Sequence, residues 1–501
     1  MKNILKTTLA LLAVGLVSCE ADFDNPVTDA GFYTSGTADF SNYVAVGNSL
    51  TAGYADGALY ITGQENSYPN IMAQQFAKAG GSETFTQPLV DDNLGGLKVN
   101  GQVVFPNRFV LSVDAMGNPG PVRLEGDPQT DVTTSAAGPF NNMGVPGAKS
   151  FHLNAPGYGA ANPWFGRFQT SASASVLEDA TSLNPTFFSL WIGNNDILSY
   201  ATSGGAGVDQ TGNLDPTTYG DNDITDPNVF ASVYSAQVSA LAQGGAKGVL
   251  VNIPDVTSIP YFTTVPVQSI PLDAATAAGV NAQFALYNNQ ALPGLVAAGI
   301  ITQEEANLRM VNFSPGANFP IITDDDLTDV TQILIAQGIP AQTAALLGQL
   351  RQANNDDLVV LVASSVLGTL ADPSNPQSVI GVAVPLSDQF VLTATEQARV
   401  ATASAAYNTA IRGLADANGL AFVDARSALA RVADTGVSFD GGLLTDTFAT
   451  GGAFSLDGVH PTPRGYAYTA NLIIDAINNT YEATIPKVNI GAYGTVTATN
   501  N

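Results

Sequence analysis

Four short apolar runs constrain this chain more than any other feature. They are Tyr43–Val46 (YVAV), Thr186–Ile192 (TFFSLWI), Gly248–Ile253 (GVLVNI) and Leu420–Val423 (LAFV). A strand buried on both faces reads as a continuous run without polar alternation, and that is what a parallel sheet covered by helices requires. Stretches with helical spacing separate the runs. Residues 67–79 carry Ile71, Met72, Gln75 and Phe76 at spacings that suit a helix packed on a sheet, and 228–241 and 396–415 precede the last two runs. Thr393 and Glu396 form a capping box at the start of the last of these helices. Strands alternating with helices predict an α/β domain with a mostly parallel sheet.

With 501 residues the chain exceeds one minimal domain, so it holds one large domain with insertions, or two. Between Phe85 and Pro139 the runs Val103–Phe105 and Phe109–Leu111, punctuated by Gly and Pro, predict a small β excursion within the first part of the domain, 43–262. Residues 263–391 are far too many for an ordinary crossover and predict an insertion. Its Ala/Leu/Gln-rich composition and the capping box at Thr302 and Glu305 predict mainly helix. Its most apolar segment, Leu358–Ala371, reads either as the insertion's own core helix or as a lid or acyl-binding wall. The second part of the domain then spans 392–482, and 483–501 form a C-terminal extension.

The first 18 residues read as an export signal: Lys2 and Lys6, an apolar run from Leu9 to Val17, then Leu16-Val17-Ser18-Cys19. The run is shorter than the roughly 20 apolar residues of a membrane span. The tetrad resembles the lipobox of bacterial lipoproteins, which implies cleavage before Cys19 and lipidation of its sulfur; a secretory signal with an incidental cysteine is the alternative. Residues 19–42, rich in Gly, Ser, Thr, Asp and Asn, read as a flexible tether. Its acidic start resembles tethers of lipoproteins sent to the outer membrane or cell surface, which implies a membrane-anchored envelope protein of a Gram-negative bacterium. The 17 Lys and Arg against 43 Asp and Glu give a net charge of −26, which repels phosphate backbones and argues against nucleic-acid partners. Two histidines and one cysteine cannot build a His- or Cys-rich zinc site or an internal disulfide, so any metal would be held by oxygen. Asp221-Asn222-Asp223 with Asp226, and Asp324-Asp325-Asp326, match no EF-hand loop and read as solvated acidic loops.

In an open parallel sheet, ligands bind beyond the carboxyl ends of the strands. Four blocks belong there. Gly47-Asn48-Ser49-Leu50-Thr51 follows the first strand; a serine at such a turn has an exposed hydroxyl and a free N–H, as a nucleophile needs, or it caps a helix. Asn142 to Ala148 (NMGVPGA) is a Gly/Pro turn. Trp191 to Asp196 (WIGNND) crowds polar amides at a strand exit, where an amide can donate to an oxyanion or cap a helix. Asp457 to Gly465 (DGVHPTPRG) sets a carboxylate three residues before His460, just ahead of a predicted helix, 466–478, so that it can fix the ring's tautomer, or else the block is a capped helix start with a surface histidine. No G-x-S-x-G pattern is present.

In this order the blocks resemble the SGNH hydrolases, also called the GDSL esterase/lipase family, over roughly 42–477 apart from the insertion. The resemblance implies a three-layer α/β/α, flavodoxin-like fold and a serine ester hydrolase without cofactor or metal. It further implies Ser49 as nucleophile, His460 as general base and Asp457 as its orienting acid. The oxyanion donors would be the N–H groups of Ser49 and Gly147 and the side-chain amide of Asn195. The family's Gly-Asp-Ser-Leu stands here as Gly47-Asn48-Ser49-Leu50. His152 is the other histidine; Lys149, not a carboxylate, lies three residues before it, and a structural role is expected. A non-catalytic glycan- or lipid-binding lipoprotein, or a deacetylase of acetylated glycans, would share these residues.

Overall fold

A computed structural model describes residues 31–499. The signal and Cys19 lie outside the described residues, and none of the described helices is long and apolar enough to cross a membrane.

Five strands form the central sheet: β1 (Tyr43–Gly47), β2 (Asn142–Gly144), β3 (Phe187–Trp191), β4 (Lys247–Val251) and β5 (Ala421–Val423). Their spatial order is 2-1-3-4-5 and every neighbouring pair is parallel. This is the flavodoxin-like order, in which growth of the sheet reverses beside β1 and opens a crevice between β1 and β3 at their carboxyl ends. The helices that matter for the site are α1 (Ser49–Ala52), α2 (Tyr68–Lys78), α3 (Val176–Ser182), α4 (Asn195–Thr202), α5 (Pro227–Leu241), α6 (Ala394–Asn418), α7 (Ala425–Asp434) and α8 (Pro463–Tyr481).

Strand side chains alternate between two helical layers, as the pleat demands. Val44, Val46, Phe188, Leu190 and Leu250 pack with Val176 of α3, Phe230 of α5, and Tyr407 and Ile411 of α6. Tyr43, Ala45, Phe187, Val249, Val251 and Ala421 pack with Ile71 and Phe76 of α2 and with Ile473 and Ile477 of α8. Burying each Val, Leu, Ile or Phe among them is worth about 1.5–3 kcal/mol. Both faces of the sheet are therefore sealed, and only its ends remain for a ligand.

Several sequence expectations need correction. Asn142–Gly144 is an edge strand rather than a plain turn, because it pairs in register with Ala45–Gly47. The described end of the tether is not free: Phe40 stacks on Phe76 with centroids 4.1 Å apart, and Thr37 N donates to Tyr481 O at 2.8 Å. An apolar residue in that stretch finds the core. The 263–391 region is not mainly helical; short helices between Ala274 and Leu347 alternate with two-stranded antiparallel ladders. Its helices have an apolar cluster of their own, including Phe284, Leu292, Leu295 and Leu334. Leu358–Ala371 contains no α-helix. The β-branched Val359 and Val360 favour extended backbone, Leu358–Val359 pairs with Val391–Leu392, and Val359, Val360 and Ala363 enter the main core instead of the insertion's. The acidic runs are not simply solvated either. Asp226 caps α5 by accepting from Asn228 N and Val229 N, Asp223 accepts from Val208 N and Gly220 N, and Asp324 pairs with Arg351.

The segment 97–123 holds two hairpins, and the C-terminal tail lies against the second: Leu111 N donates to Thr497 O at 2.8 Å.

Two glycines let α1 sit directly on the strand backbones. A Cβ at Gly47 would lie 2.1 Å from Thr51 Oγ1 and 2.4 Å from Trp191 O; one at Gly144 would lie 2.2 Å from Ala52 N and 2.6 Å from Thr51 C. Backbone cannot yield as a flexible side chain can. Gly144→Ala is therefore expected to destabilise the fold by about 1–3 kcal/mol or more, read as a lowered urea midpoint at unchanged slope.

Candidate active site

The crevice predicted at the switch point is where the sequence blocks meet. Ser49 is the first residue of α1, immediately beyond β1. Asn48 precedes it as the helix cap, with Oδ1 accepting from Leu50 N at 3.1 Å. An amide thus holds the turn, so the neutral residue in the Gly-Asn-Ser-Leu block keeps the capping contact. Ser49 is itself not the cap, which leaves its hydroxyl for other use.

That hydroxyl meets a histidine 411 positions away. His460 Nδ1–H donates to Asp457 Oδ2 at 2.9 Å, which leaves Nε2 as an acceptor, and Nε2 lies 2.9 Å from Ser49 Oγ. Asp457 is held from all sides. Its Oδ1 accepts from Val459 N at 2.9 Å, His460 N at 2.8 Å and Ser455 Oγ at 3.1 Å, and its Oδ2 accepts from Gly57 N at 2.8 Å. Burial alone would push this carboxyl up, but the His460 ring and the backbone N–H groups outweigh it and hold the group down at about 2. The ring of Tyr54 packs against His460 with centroids 4.7 Å apart.

The residues that join the two loops were not visible in the sequence. Asp56 N donates to Ser455 Oγ at 2.9 Å, Leu456 N donates back to Asp56 Oδ1 at 3.0 Å, and Tyr60 OH donates to Asp56 Oδ2 at 2.9 Å. Asp56 sits at φ 54°, and burial first, then the charge of Asp457, raises its carboxyl. Only the Asp56-Gly57 pair, a turn signal, hinted at this.

Gly147 lies three residues beyond β2 at φ 80°. Asn162 Nδ2 donates to Pro146 O at 2.9 Å, and because peptide N–H and C=O point in opposite directions, fixing that carbonyl fixes the direction of the Gly147 N–H. Asn195 opens α4 just past β3, and its Nδ2 donates one hydrogen to Ala148 O at 2.9 Å, which ties Asn195 to the Gly147 turn. Among the described residues, neither the Ser49 N–H nor the Gly147 N–H donates to a protein acceptor. His152 lies apart from this group. It stacks on Tyr158 at 4.6 Å, its Nδ1 accepts from Lys149 N at 3.1 Å, and burial, then the Lys149 charge, lowers it to about 4, so it is a neutral packing residue.

Ser49 and His460 stand among the residues lining an apolar pocket of about 120 Å³. Val251, Val423, Leu429, Val432, Phe454 and Leu472 form much of its wall. No residue of 263–391 lines it. Just ahead of the insertion, Tyr261 N donates to Gly458 O at 2.9 Å beside Asp457.

A family model described as GDSL-like Lipase/Acylhydrolase matches residues 43–473. No curated protein matches the sequence. Among solved structures the chain is similar to a GDSL-like protein from Parabacteroides merdae at 10% identity, covering 89% of this chain and 99% of that one, with a TM-score of 0.31. A likeness that loose bears on neither fold nor chemistry.

Because Asp457 binds fewer protons folded than unfolded, it stabilises the fold above its ordinary value of about 3.9, and that contribution is lost as pH falls toward about 2. Asp457→Asn removes this dependence. Urea titrations across that window should show the wild-type chain losing stability on acidification more steeply than the variant.

Proposed function

The chain belongs to the GDSL-like lipase/acylhydrolase family, and from that premise we propose that it is a serine ester hydrolase working through Ser49, His460 and Asp457. One observation carries the reading: a relay of two 2.9 Å hydrogen bonds from Asp457 through His460 to Ser49, the last two of which line an apolar pocket.

In this reading Ser49 Oγ attacks the ester carbonyl carbon while His460 Nε2 takes its proton. The ionised Asp457 stabilises the imidazolium and keeps its Nδ1 proton in place. Negative charge moves to the carbonyl oxygen, where the Ser49 N–H, the Gly147 N–H and the free hydrogen of the Asn195 amide would receive it. Collapse breaks the ester C–O bond, and Nε2 returns the proton to the leaving alcohol. Water then attacks the acyl-enzyme with Nε2 as base, releasing the acid and regenerating Ser49. His460 is fixed before substrate arrives, so little reorganisation is needed at the moment of reaction.

The pocket supports an acyl group longer than acetyl. Its walls are mostly Val, Leu, Ala and Phe, an apolar surface for methylenes, each worth about 0.8 kcal/mol when buried. The deacetylase alternative has no use for such a space. The reading also takes Cys19 as the lipid anchor that holds the chain at the cell envelope, a role supported by the Leu-Val-Ser-Cys motif; Cys19→Ser should then leave the membrane fraction.

Ser49→Ala or His460→Ala should lower kcat for ester hydrolysis at least about 10⁴-fold, and Asn195→Ala about 10²–10³-fold, whereas His152→Ala should retain most activity. Steady-state kinetics on a chromogenic ester check this; full turnover in Ser49→Ala would refute the assignment. On esters of graded acyl length, Leu429→Trp should shift preference toward short chains. Losing room for two methylenes corresponds to about tenfold in kcat/KM.

A further inference from the structure

The insertion meets the main domain at a group of carboxylates the proposed chemistry does not use. Asp325 follows the strand Ile321–Thr323, Asp388 lies in a turn of 3₁₀ helix ahead of α6, and Glu396 sits in the first turn of α6. One carboxylate oxygen from each lies within 4.8 Å of the others. Their neighbours already have cationic partners: Asp324 pairs with Arg351 at 2.5 Å, and Asp326 pairs with Arg399, which also donates to Tyr200 OH at 3.0 Å. Among the described residues, none of Asp325, Asp388 and Glu396 has an ion-pair partner.

Glu396 provides the decisive observation. It is fully buried, at 0% exposure, and its Oε2 accepts from Thr393 N at 2.6 Å in the capping box. Its Oε1 is buried with no hydrogen-bond partner, and so is Asp388 Oδ1. A helix cap needs one oxygen of this side chain, not a second one without a donor inside a nest of carboxylates. Leaving such groups bare is costly.

We propose that Asp325, Asp388 and Glu396 form a binding site for a hard divalent cation of the calcium type, which staples the insertion to the first turn of α6. Oxygen-only ligands select calcium or magnesium over the softer metals. Calcium takes irregular sets of oxygen ligands at about 2.3–2.6 Å, whereas magnesium, at about 2.0–2.1 Å, demands near-ideal octahedral geometry and keeps several waters, so carboxylates gathered from three separate segments suit calcium better. Burial, then the charge of Asp325, raises Asp388 to about 7, and burial, then the charge of Asp388, raises Glu396 to about 8. A divalent ion supplies what these carboxylates lack. The site shares no residue with the chemistry proposed for Ser49 and does not depend on it, but α6 packs on α4, whose first residue is Asn195.

The test uses the full chain, stripped with chelator and titrated with calcium chloride or magnesium chloride in a calorimeter, with thermal unfolding alongside. One calcium per chain is expected, with Kd in the range of about 10⁻⁵–10⁻³ M, weaker magnesium binding, and a rise of several degrees in Tm at saturating calcium. Both should disappear in Glu396→Gln, which retains a capping side chain, and in Asp388→Asn, which leaves the cap untouched. No heat and no Tm shift in the wild type would overturn the proposal. So would binding that survives in both variants, or variants more stable than the wild type with no response to calcium, the sign of carboxyls that share a proton instead.

Discussion

The candidate site rests on a hydrogen-bonded clasp between two loops four hundred residues apart. Asp56, Gly57, Ser455, Leu456 and Asp457 exchange backbone and side-chain hydrogen bonds, all of 2.8 to 3.1 Å, and this fixes the loop that follows α1 against the loop that precedes α8. The entropy of closing so long a loop grows only slowly with its length. What the sheet contributes is rigidity: β1 and α8 are each buried against it, so the clasp has only short segments left to order. Without it, His460 would be tethered to Asp457 but not aimed at Ser49. The ionised state of Asp457 follows from the same contacts, since its N–H and ring donors must outweigh a burial that would otherwise neutralise it.

The glycines and small amides of the site express the same need for close approach. Gly47 and Gly144 allow α1 to lie on bare backbone, which sets the depth at which Ser49 sits. Asn48, Asn162 and Asn195 each use an amide to hold a turn or a carbonyl, so the Ser49 and Gly147 N–H groups are oriented by neighbours that are themselves fixed. Positioning through such supporting contacts is what allows a site to be ready before its ligand arrives.

Much of this was legible in the residues. The apolar runs marked four of the five strands because strands sealed on both faces leave no polar alternation, and the Asp-x-x-His spacing showed which carboxylate could reach which ring. β2 escaped because Asn142-Met143-Gly144 is three residues long and gains its identity from pairing with β1. Asp56 and Ser455 escaped because neither belongs to a motif and their partnership is purely tertiary. Leu358–Ala371 does not form the helix its composition suggests, because apolarity alone does not distinguish a helix from a β-branched extended segment. The pocket wall lies instead on β4, β5, α7 and α8, where Leu429 and Val432 recur at helical spacing on a short amphipathic helix.

The central claim is that folding turns the Ser49 hydroxyl into a nucleophile by presenting it to His460 Nε2. An organophosphonate ester, whose phosphorus is attacked only by an activated hydroxyl, tests this most directly when the adduct is mapped by mass spectrometry. The account predicts one adduct per chain, on the peptide containing Ser49, formed rapidly in the wild-type chain and far more slowly in His460→Ala. An unlabelled Ser49, or labelling at equal rate without His460, would contradict it.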